Sequence, residues 1–537
     1  MNNILKQWTV IALVVGAVLV GCKKDEELPN QQPQKQYEAL AFSTQTATTI
    51  ELAKGATYSF TITAGSGDYS VTSEKPEIVS ATLSGTTVVS INAKTRGEAK
   101  ITVKDNKSEQ TKDFIVIVSV SEKTLEWQLS FRSDKMDSAT GVAATSDGGI
   151  IVTGFYDGNG GDITVPNKGK SDIWVTKLSA DGSVQWKNFF GGNDNDTPYD
   201  VQQTADGGYI IAGQSYSTDG DFEGVRKIKY NADAFVLKLN ANGQKEWIKF
   251  YGGDKTEKFY SVREIADGYV LSGVSRSKNG DVLSNKGDQD WWIVKIDKTG
   301  NIVWSKSYGG SGDDGGYYPI SLCVVKEGGF AVVGYTASYD GDLVEGWNGG
   351  ISFLRLDNEG NISWKKVYGK TKPFSVQQTS DGGFLIGGDR FDLSGRGTNI
   401  LVIKTKTDGS IEWEKTFGGN KDDSCRGVIQ TSDGNYIIAG RTNSIQGDGD
   451  ITDAKDPKPN SDYDMWIVKL DKNGSKLWDK AFGGTGGEEP RANVVETKDK
   501  SIVIVGNTSS SDGNITEPLL NNTLYDAWIT KIAVSTK

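Results

Sequence analysis

Histidine is absent from this chain of 537 residues. That removes the usual general base near neutral pH, the imidazole partner of serine and cysteine nucleophiles, and the commonest zinc ligand. Any catalysis falls to Asp, Glu, Tyr, Lys or Arg. Positive charge is also short, with 59 Lys and Arg against 70 Asp and Glu, a formal net charge of −11 and no basic block. Such a surface repels a phosphate backbone and excludes nucleic acid as a partner. Cysteine occurs only at positions 22, 323 and 425. Cys323 and Cys425 fall in equivalent parts of two non-adjacent repeats, too far apart for a disulfide, whose Cα atoms sit within about 7 Å. Cys323 reads as a small core residue, and the pattern leaves Cys425 unassigned. Proline is scarce at 11 copies while glycine reaches 66. With frequent Val/Ile/Thr clusters, Trp and Tyr, this is the composition of a turn-dense β protein.

The apolar run Trp8 to Val20 follows Lys6 and is too short for a stop-transfer helix, so residues 1–21 read as a signal peptide. Leu19-Val20-Gly21-Cys22 resembles the bacterial lipobox, which implies diacylglycerol on the Cys22 thiol and more than the two acyl chains that stable anchoring needs. Lys23-Lys24-Asp25-Glu26-Glu27 resembles the acidic export signal of Bacteroidetes surface lipoproteins, which implies an outer-membrane lipoprotein exposed on the cell surface. Residues 22–36, with Pro29, Pro33 and several Gln, form a flexible tether. Over 37–121, period-2 segments such as Thr57-Tyr-Ser-Phe-Thr-Ile-Thr63 and Phe114-Ile-Val-Ile-Val-Ser-Val120 predict a small sandwich. The stretch from Gly67-Asp-Tyr-Ser-Val71 to Gly97-Glu-Ala-Lys-Ile-Thr-Val103 resembles group 2 bacterial immunoglobulin-like domains, which implies a stalk.

From Leu125 the chain repeats. Trp127, Trp186, Trp247, Trp304, Trp364, Trp413 and Trp478 mark one position, spaced by 59, 61, 57, 60, 49 and 65 residues. Each unit offers four strand signals in fixed order. A short segment such as Asp200-Val-Gln-Gln-Thr204 precedes an Asp-Gly-Gly turn. An apolar strand ending in Gly follows, as in Tyr209-Ile-Ile-Ala-Gly213. After a long polar loop comes a third strand such as Asp172-Ile-Trp-Val-Thr-Lys-Leu178, and a tight Gly turn leads into the marker-Trp strand. Four antiparallel strands per repeat without helical periodicity predict propeller blades. Seven copies of the first three strands are present, and the last lacks its Trp strand, while Leu125-Glu-Trp-Gln-Leu-Ser-Phe131 is a Trp strand with no unit before it. Pairing the two ends removes open sheet edges. The prediction is an all-β chain: an N-terminal immunoglobulin-like sandwich, then a seven-bladed β-propeller over 122–537 closed by an N-terminal strand. The units resemble the sixty-residue propeller repeats of secreted Bacteroidetes proteins. The Leu-Asp-x-x-Gly-x-x-x-Trp stretch also resembles the tryptophan motif of quinoprotein propellers, but the vicinal cysteine pair of such an enzyme is missing.

Insertions at Tyr156 to Lys170, Phe222 to Asn231, Leu343 to Gly349 and Gly447 to Asp462 fall on one face, where a ligand site is expected. Residues that recur in every unit are assigned to blade geometry; departures are the candidates. Unit four adds Tyr317, Tyr318 and Trp347. Unit five reads Tyr368-Gly-Lys-Thr-Lys-Pro-Phe374, replaces Asp-x-Trp by Thr398-Asn-Ile-Leu401, and bears Arg390, Phe391 and Arg396. Aromatic faces stack on sugar rings or partner side chains, and Arg pairs bidentately with carboxylates, so Tyr317, Tyr318, Trp347, Arg390, Phe391 and Arg396 with Phe374 form the candidate ligand site. The triplets Asp219-Gly-Asp221, Asp340-Gly-Asp342 and Asp448-Gly-Asp450, with Asn279-Gly-Asp281, suggest calcium or simply tight turns. The leading expectation is a monomeric, non-enzymatic surface lipoprotein without cofactor or catalytic residues, binding a glycan or a surface protein and touching the membrane through its lipid alone. The alternative is a carbohydrate-active hydrolase or lyase using paired acids at the axial pocket, with Asp313, Asp314 and Glu488 as candidates.

Overall fold

The computed structural model describes residues 37–43, 48–223, 231–316, 318–344, 350–369, 371–391, 397–453, 462–516 and 525–534. Cys22 and its tether, Tyr317, Trp347 and Arg396 lie outside the described residues. Among those described there is no α-helix, and a single 3-10 turn at Gly220–Phe222 interrupts an otherwise all-β chain.

The N-terminal unit is two four-stranded sheets. One is ordered Ala41–Phe42, Thr57–Ala64, Val88–Ala93, Val79–Ser84; the other Thr49–Ala53, Thr111–Ser119, Gly97–Asp105, Tyr69–Ser73. Alternation decides which face is buried. In Gly97–Asp105 the residues Ala99, Ile101 and Val103 point inward and Lys100, Thr102 and Lys104 outward. Inward residues of both sheets, among them Phe60, Ile91, Ile101 and Phe114, meet in one core.

The rest of the described chain builds seven more antiparallel sheets. Six are four consecutive strands, over 137–190, 196–251, 257–308, 321–368, 371–417 and 423–482. In the seventh, Glu488–Pro490 and Val495–Glu496 pair with Ser501–Thr508, which pairs with Asp526–Ala533, and the outer place is taken by Thr124–Phe131. Trp127 thereby lies opposite Lys531. Seven apolar clusters each straddle two successive sheets. The last joins Val503, Val505 and Ile529 of the seventh sheet to Val142, Val152 and Trp174 of the first, so the sheets close into a ring. Each fully buried Trp or Phe side chain in these seams contributes about 1.5–3 kcal/mol.

The recurring residues fasten neighbouring sheets. Six of the seven marker tryptophans lie over the positive-φ glycine of the next sheet's last turn, among them Trp127 on Gly182, Trp186 on Gly243, Trp304 on Gly360 and Trp413 on Gly474; Trp478, beside the sheet closed by Thr124–Phe131, has the Lys123 ammonium 5.8 Å from its ring centroid. The Trp127 and Trp304 indoles also donate to the carbonyls of Ala180 and Asn358, both at 3.1 Å. At the opposite, long-loop end, the Asp-Gly-Asp triplet docks on the Gly-Gly that ends the preceding sheet. Asp221 accepts from Gly191 N–H at 2.9 Å and returns its own N–H to Gly191 O at 3.0 Å. Gly220 sits at φ +64°, and a Cβ there would lie 2.4 Å from Gly191 O, so only glycine fits. Asp281 repeats this on Gly252, and Asp450 on Gly418.

Contacts between the N-terminal unit and the ring fall at the tight-turn end of the seventh sheet. Lys54 Nζ donates to Glu126 O at 3.1 Å, and the buried Arg96 donates to Ser501 Oγ at 3.4 Å.

Candidate functional site

The innermost strands converge on a cavity of about 490 Å³, within the range of small-molecule sites. All seven sheets contribute to its wall. What shapes its upper rim is a defect repeated in the inner strands: register shifts between Ala139/Gly141, Pro198/Asp200, Phe259/Ser261, Pro373/Ser375 and Cys425/Gly427. A bulge frees one residue from the ladder and re-aims its side chain. The freed residues are Thr140, Tyr199, Tyr260, Phe374 and Arg426, and the last four line the cavity together with Arg491, which follows the interruption of the seventh inner strand.

These side chains form two arcs. Tyr199 and Tyr260 lie with ring centroids 5.2 Å apart, and burial raises both phenols above their ordinary pKa, so they remain neutral donors. On the other side the Arg426 guanidinium covers Phe374 at 4.8 Å from the centroid, and Tyr318 meets Phe374 edge-on at 6.1 Å. Lys372 places its ammonium 4.6 Å from the centroid of Tyr318 and 4.4 Å from that of the half-exposed Phe391. Deeper in the cavity, Asp200 accepts from Arg263 and from Val262 N–H at 3.0 Å, and Glu496 accepts from Ser432 N–H at 2.8 Å and Ser432 Oγ at 3.0 Å. Gly141 and Ala143 on the first sheet and Ala492 and Val494 on the seventh leave space on that side.

Of the residues singled out in the sequence, Tyr318, Phe374 and Phe391 are brought together, bridged by Lys372. Arg390 is not part of this group: its guanidinium pairs with Glu414 on the outer strand of the fifth sheet at 2.6 Å. Cys323 packs against the apolar seam of the fourth and fifth sheets and is also half-buried on the cavity wall, whereas Cys425 is wholly buried beneath Arg426. Burial pushes the Cys323 thiol up to about 11. Tyr199, Tyr260, Arg426, Arg491 and Lys372 were missed. For Tyr199, Tyr260 and Arg426 the signal is a variable position two residues before the recurrent Val-x-Gln or Val-x-Glu of the inner strand; Lys372 and Arg491 stand at other offsets and have no such signal.

The acids named for catalysis sit elsewhere. Asp314 and Glu488 are 0% exposed and hold the ring's own backbone. Asp314 accepts from Gly310 N–H at 2.8 Å, Thr336 Oγ1 at 2.6 Å and Ser338 Oγ at 2.8 Å; Glu488 accepts from Gly484 N–H at 3.1 Å and Thr508 Oγ1 at 2.8 Å. Asp196 occupies the same place in the second sheet. Asp313 is half-exposed, 4.0 Å from Arg276. The Asp-Gly-Asp carboxylates face backbone N–H groups, and among the described residues no group of three or more acidic or cysteine side chains is arranged to hold a metal ion.

No protein-family model matches the chain, and no curated protein matches it. Solved structures do. A protein of unknown function from Dyadobacter fermentans aligns over 76% of this chain and 98% of its own, at 10% identity and a TM-score of 0.40. The β-propeller domain of the trilobed protease from Pyrococcus furiosus aligns over 75% and 96%, at 10% identity and 0.37. A quinoprotein alcohol dehydrogenase-like protein from Bacteroides thetaiotaomicron aligns over 83% and 97%, at 8% identity and 0.36. The architecture is a β-propeller. At these identities and TM-scores the neighbours carry nothing about what this propeller does. No helix among the described residues is long and apolar enough to cross a membrane.

Proposed function

We propose that the chain is a non-enzymatic binding protein of the bacterial cell surface, anchored through lipid on Cys22. In this reading the N-terminal unit is an immunoglobulin-like spacer over 37–121. The ring is a complete, monomeric seven-bladed propeller over 122–537, fastened by Thr124–Phe131, and its long-loop face recognises a glycan. The carrying observation is the set of bulged residues, Tyr199, Tyr260, Phe374 and Arg426, aimed into one cavity. The Gln or Glu near the end of five of the inner strands is engaged in holding sheets together, whereas the bulged positions vary from sheet to sheet, as a specificity surface requires. Neutral phenols and a phenyl face suit the apolar faces and hydroxyls of sugar rings.

The acids support binding over hydrolysis. Asp200 and Glu496 line the cavity, yet each is engaged by donors of the propeller itself, and Asp314 and Glu488 are buried among backbone N–H groups. The test is a glycan array and subsequent calorimetry on the full chain. Tyr199→Ala with Phe374→Ala is expected to weaken the selected glycan at least about tenfold, ~1.4 kcal/mol, with the thermal midpoint retained. Unchanged affinity removes the site from this face, and new reducing ends released from a polysaccharide would replace the reading by the enzymatic one.

A further inference from the structure

Resting on the binding reading, we infer that the ligand is an acidic glycan, one whose sugar carries a carboxylate held by Arg426 and Arg491 at the rim of the axial cavity. The charge distribution points there. In a protein of net charge −11, the arc formed by the fifth to seventh sheets gathers four cations: Lys372, Arg426, Arg441 and Arg491. One carboxylate, Glu489, serves two of them, accepting from Arg441 and from Arg491 Nη2 at 2.7 Å. Among the described residues neither Arg426 nor Lys372 is in an ion pair. Arg426 donates only to neutral oxygens, Ser424 Oγ at 2.5 Å and Cys425 O at 2.7 Å, and Lys372 sits between two aromatic rings. Asp389 is the one buried acid close behind Arg426, and it is hydrogen-bonded to Ser424 Oγ and Cys425 N–H, both at 2.8 Å, rather than to the guanidinium.

Asp389 and Glu489 offset part of the Arg426 charge without a direct ion pair, and an incoming carboxylate supplies that direct contact. Arg426 and Phe374 both line the cavity with the guanidinium 4.8 Å from the ring centroid, and the hydrogen bonds to Ser424 and Cys425 engage Nη1, so a planar fork and an aromatic face stand side by side for a sugar acid. Arg491, also on the cavity wall and exposed, supplies the second cation. The opposite arc presents the phenols of Tyr199 and Tyr260; the Lys258 ammonium there is stacked 5.0 Å from the Tyr260 centroid and Arg263 is paired with Asp200, so stacking dominates that side and the arginine rim the other. A sugar with its carboxylate at one edge and hydroxyls at the other matches this division.

The experiment is isothermal titration of the full chain with trigalacturonate as the acidic probe, against its methyl ester, a neutral galactose trimer and a sulfated galactose trimer. The acid is expected to bind at least about tenfold tighter than its ester, and rising salt to narrow the gap. Arg426→Gln is expected to lose that preference while keeping the neutral trimer's weak affinity. Since Arg426 braces the bulge, Arg491→Gln at the exposed rim serves as the independent variant and is expected to reduce the preference severalfold. Equal binding of acid, ester and neutral trimer overturns the acidic class and leaves the glycan-binding reading standing. Preference for the sulfated trimer overturns the carboxylate assignment. Binding of none of the four, by a chain that binds nothing on the array, overturns both.

Discussion

Buried carboxylates at the start of the inner strands set how the protein responds to pH. Asp137 is 0% exposed, and burial, reinforced by the nearby Asp526 and Asp157, pushes its carboxyl up to about 8 despite donation from Ser133. Asp196 is raised for the same reason to about 7, and Asp290 and Asp423 to about 6. In the unfolded chain an Asp loses its proton near about pH 3.9. Between that value and 8 the folded state holds a proton on Asp137 that the unfolded state has released, so folding becomes less favourable as pH rises and levels off above the folded value. The thermal midpoint is therefore expected to fall from about pH 5 to about pH 8, and Asp137→Asn, which removes the titration and keeps the shape, is expected to flatten the upper part of that fall. A midpoint that rises over this range in the parent chain would reverse the assignment.

At the scale of strands, the sheets are joined at both ends by side chains that a repeat consensus displays without explaining. The last residue of the inner strand reaches to the sheet before it. Gln203 accepts from Ser146 N–H at 2.7 Å, Glu264 from Ala205 at 2.7 Å, Gln378 from Lys326 at 2.9 Å, Gln430 from Ser380 at 2.7 Å and Glu496 from Ser432 at 2.8 Å. Ala144 and Val324 hold this position in the first and fourth sheets and cannot accept. Gln430→Ala removes one such bond and is expected to cost about 1 kcal/mol in urea unfolding, whereas Val324→Ala is expected to be near neutral. Equal effects would mean that the bond adds nothing to packing. The strand order, the tight glycine turns and the outer tryptophans were readable because seven near-copies repeat them. The bulged residues were not. A bulge shifts the two-residue alternation by one, so Tyr199 or Arg426 looks like an ordinary wall residue until pairing is known. Cys323 packs on the core as its small apolar side chain suggests, but its place on the cavity wall as well was not legible, because inner-strand residues face a neighbouring sheet or the cavity and such a side chain suits both. Arg390 looked free because its partner Glu414 lies two strands away in pairing order and 24 residues away in sequence.

For the whole molecule, the two ends of the ring and the spacer meet at one buried seam. Glu126 on the closing strand and Lys531 on the third strand of the same sheet are 4% and 3% exposed, 3.7 Å apart, and Lys531 also pairs with Asp499 at 2.6 Å. Ser501 Oγ donates to Glu126 at 2.5 Å and accepts from Arg96 of the N-terminal unit, so the closing strand's carboxylate is linked through Ser501 to the spacer. Because these contacts gather at the tight-turn end, the cavity rim with Tyr199 and Arg426 faces away from the spacer, the orientation a surface-anchored binder needs. Removing Glu126 takes one of two carboxylates from the buried Lys531, which keeps Asp499 and the Ala180 carbonyl, and breaks the Arg96–Ser501–Glu126 relay. Glu126→Ala is expected to destabilise the chain by about 3–5 kcal/mol and to separate the unfolding of spacer and ring into two calorimetric transitions. Lys54→Ala deletes only an exposed hydrogen bond to the Glu126 carbonyl and is expected to shift stability by less than about 0.5 kcal/mol. Similar shifts in the two variants would show that the seam is held by strand pairing alone and that its charges are incidental.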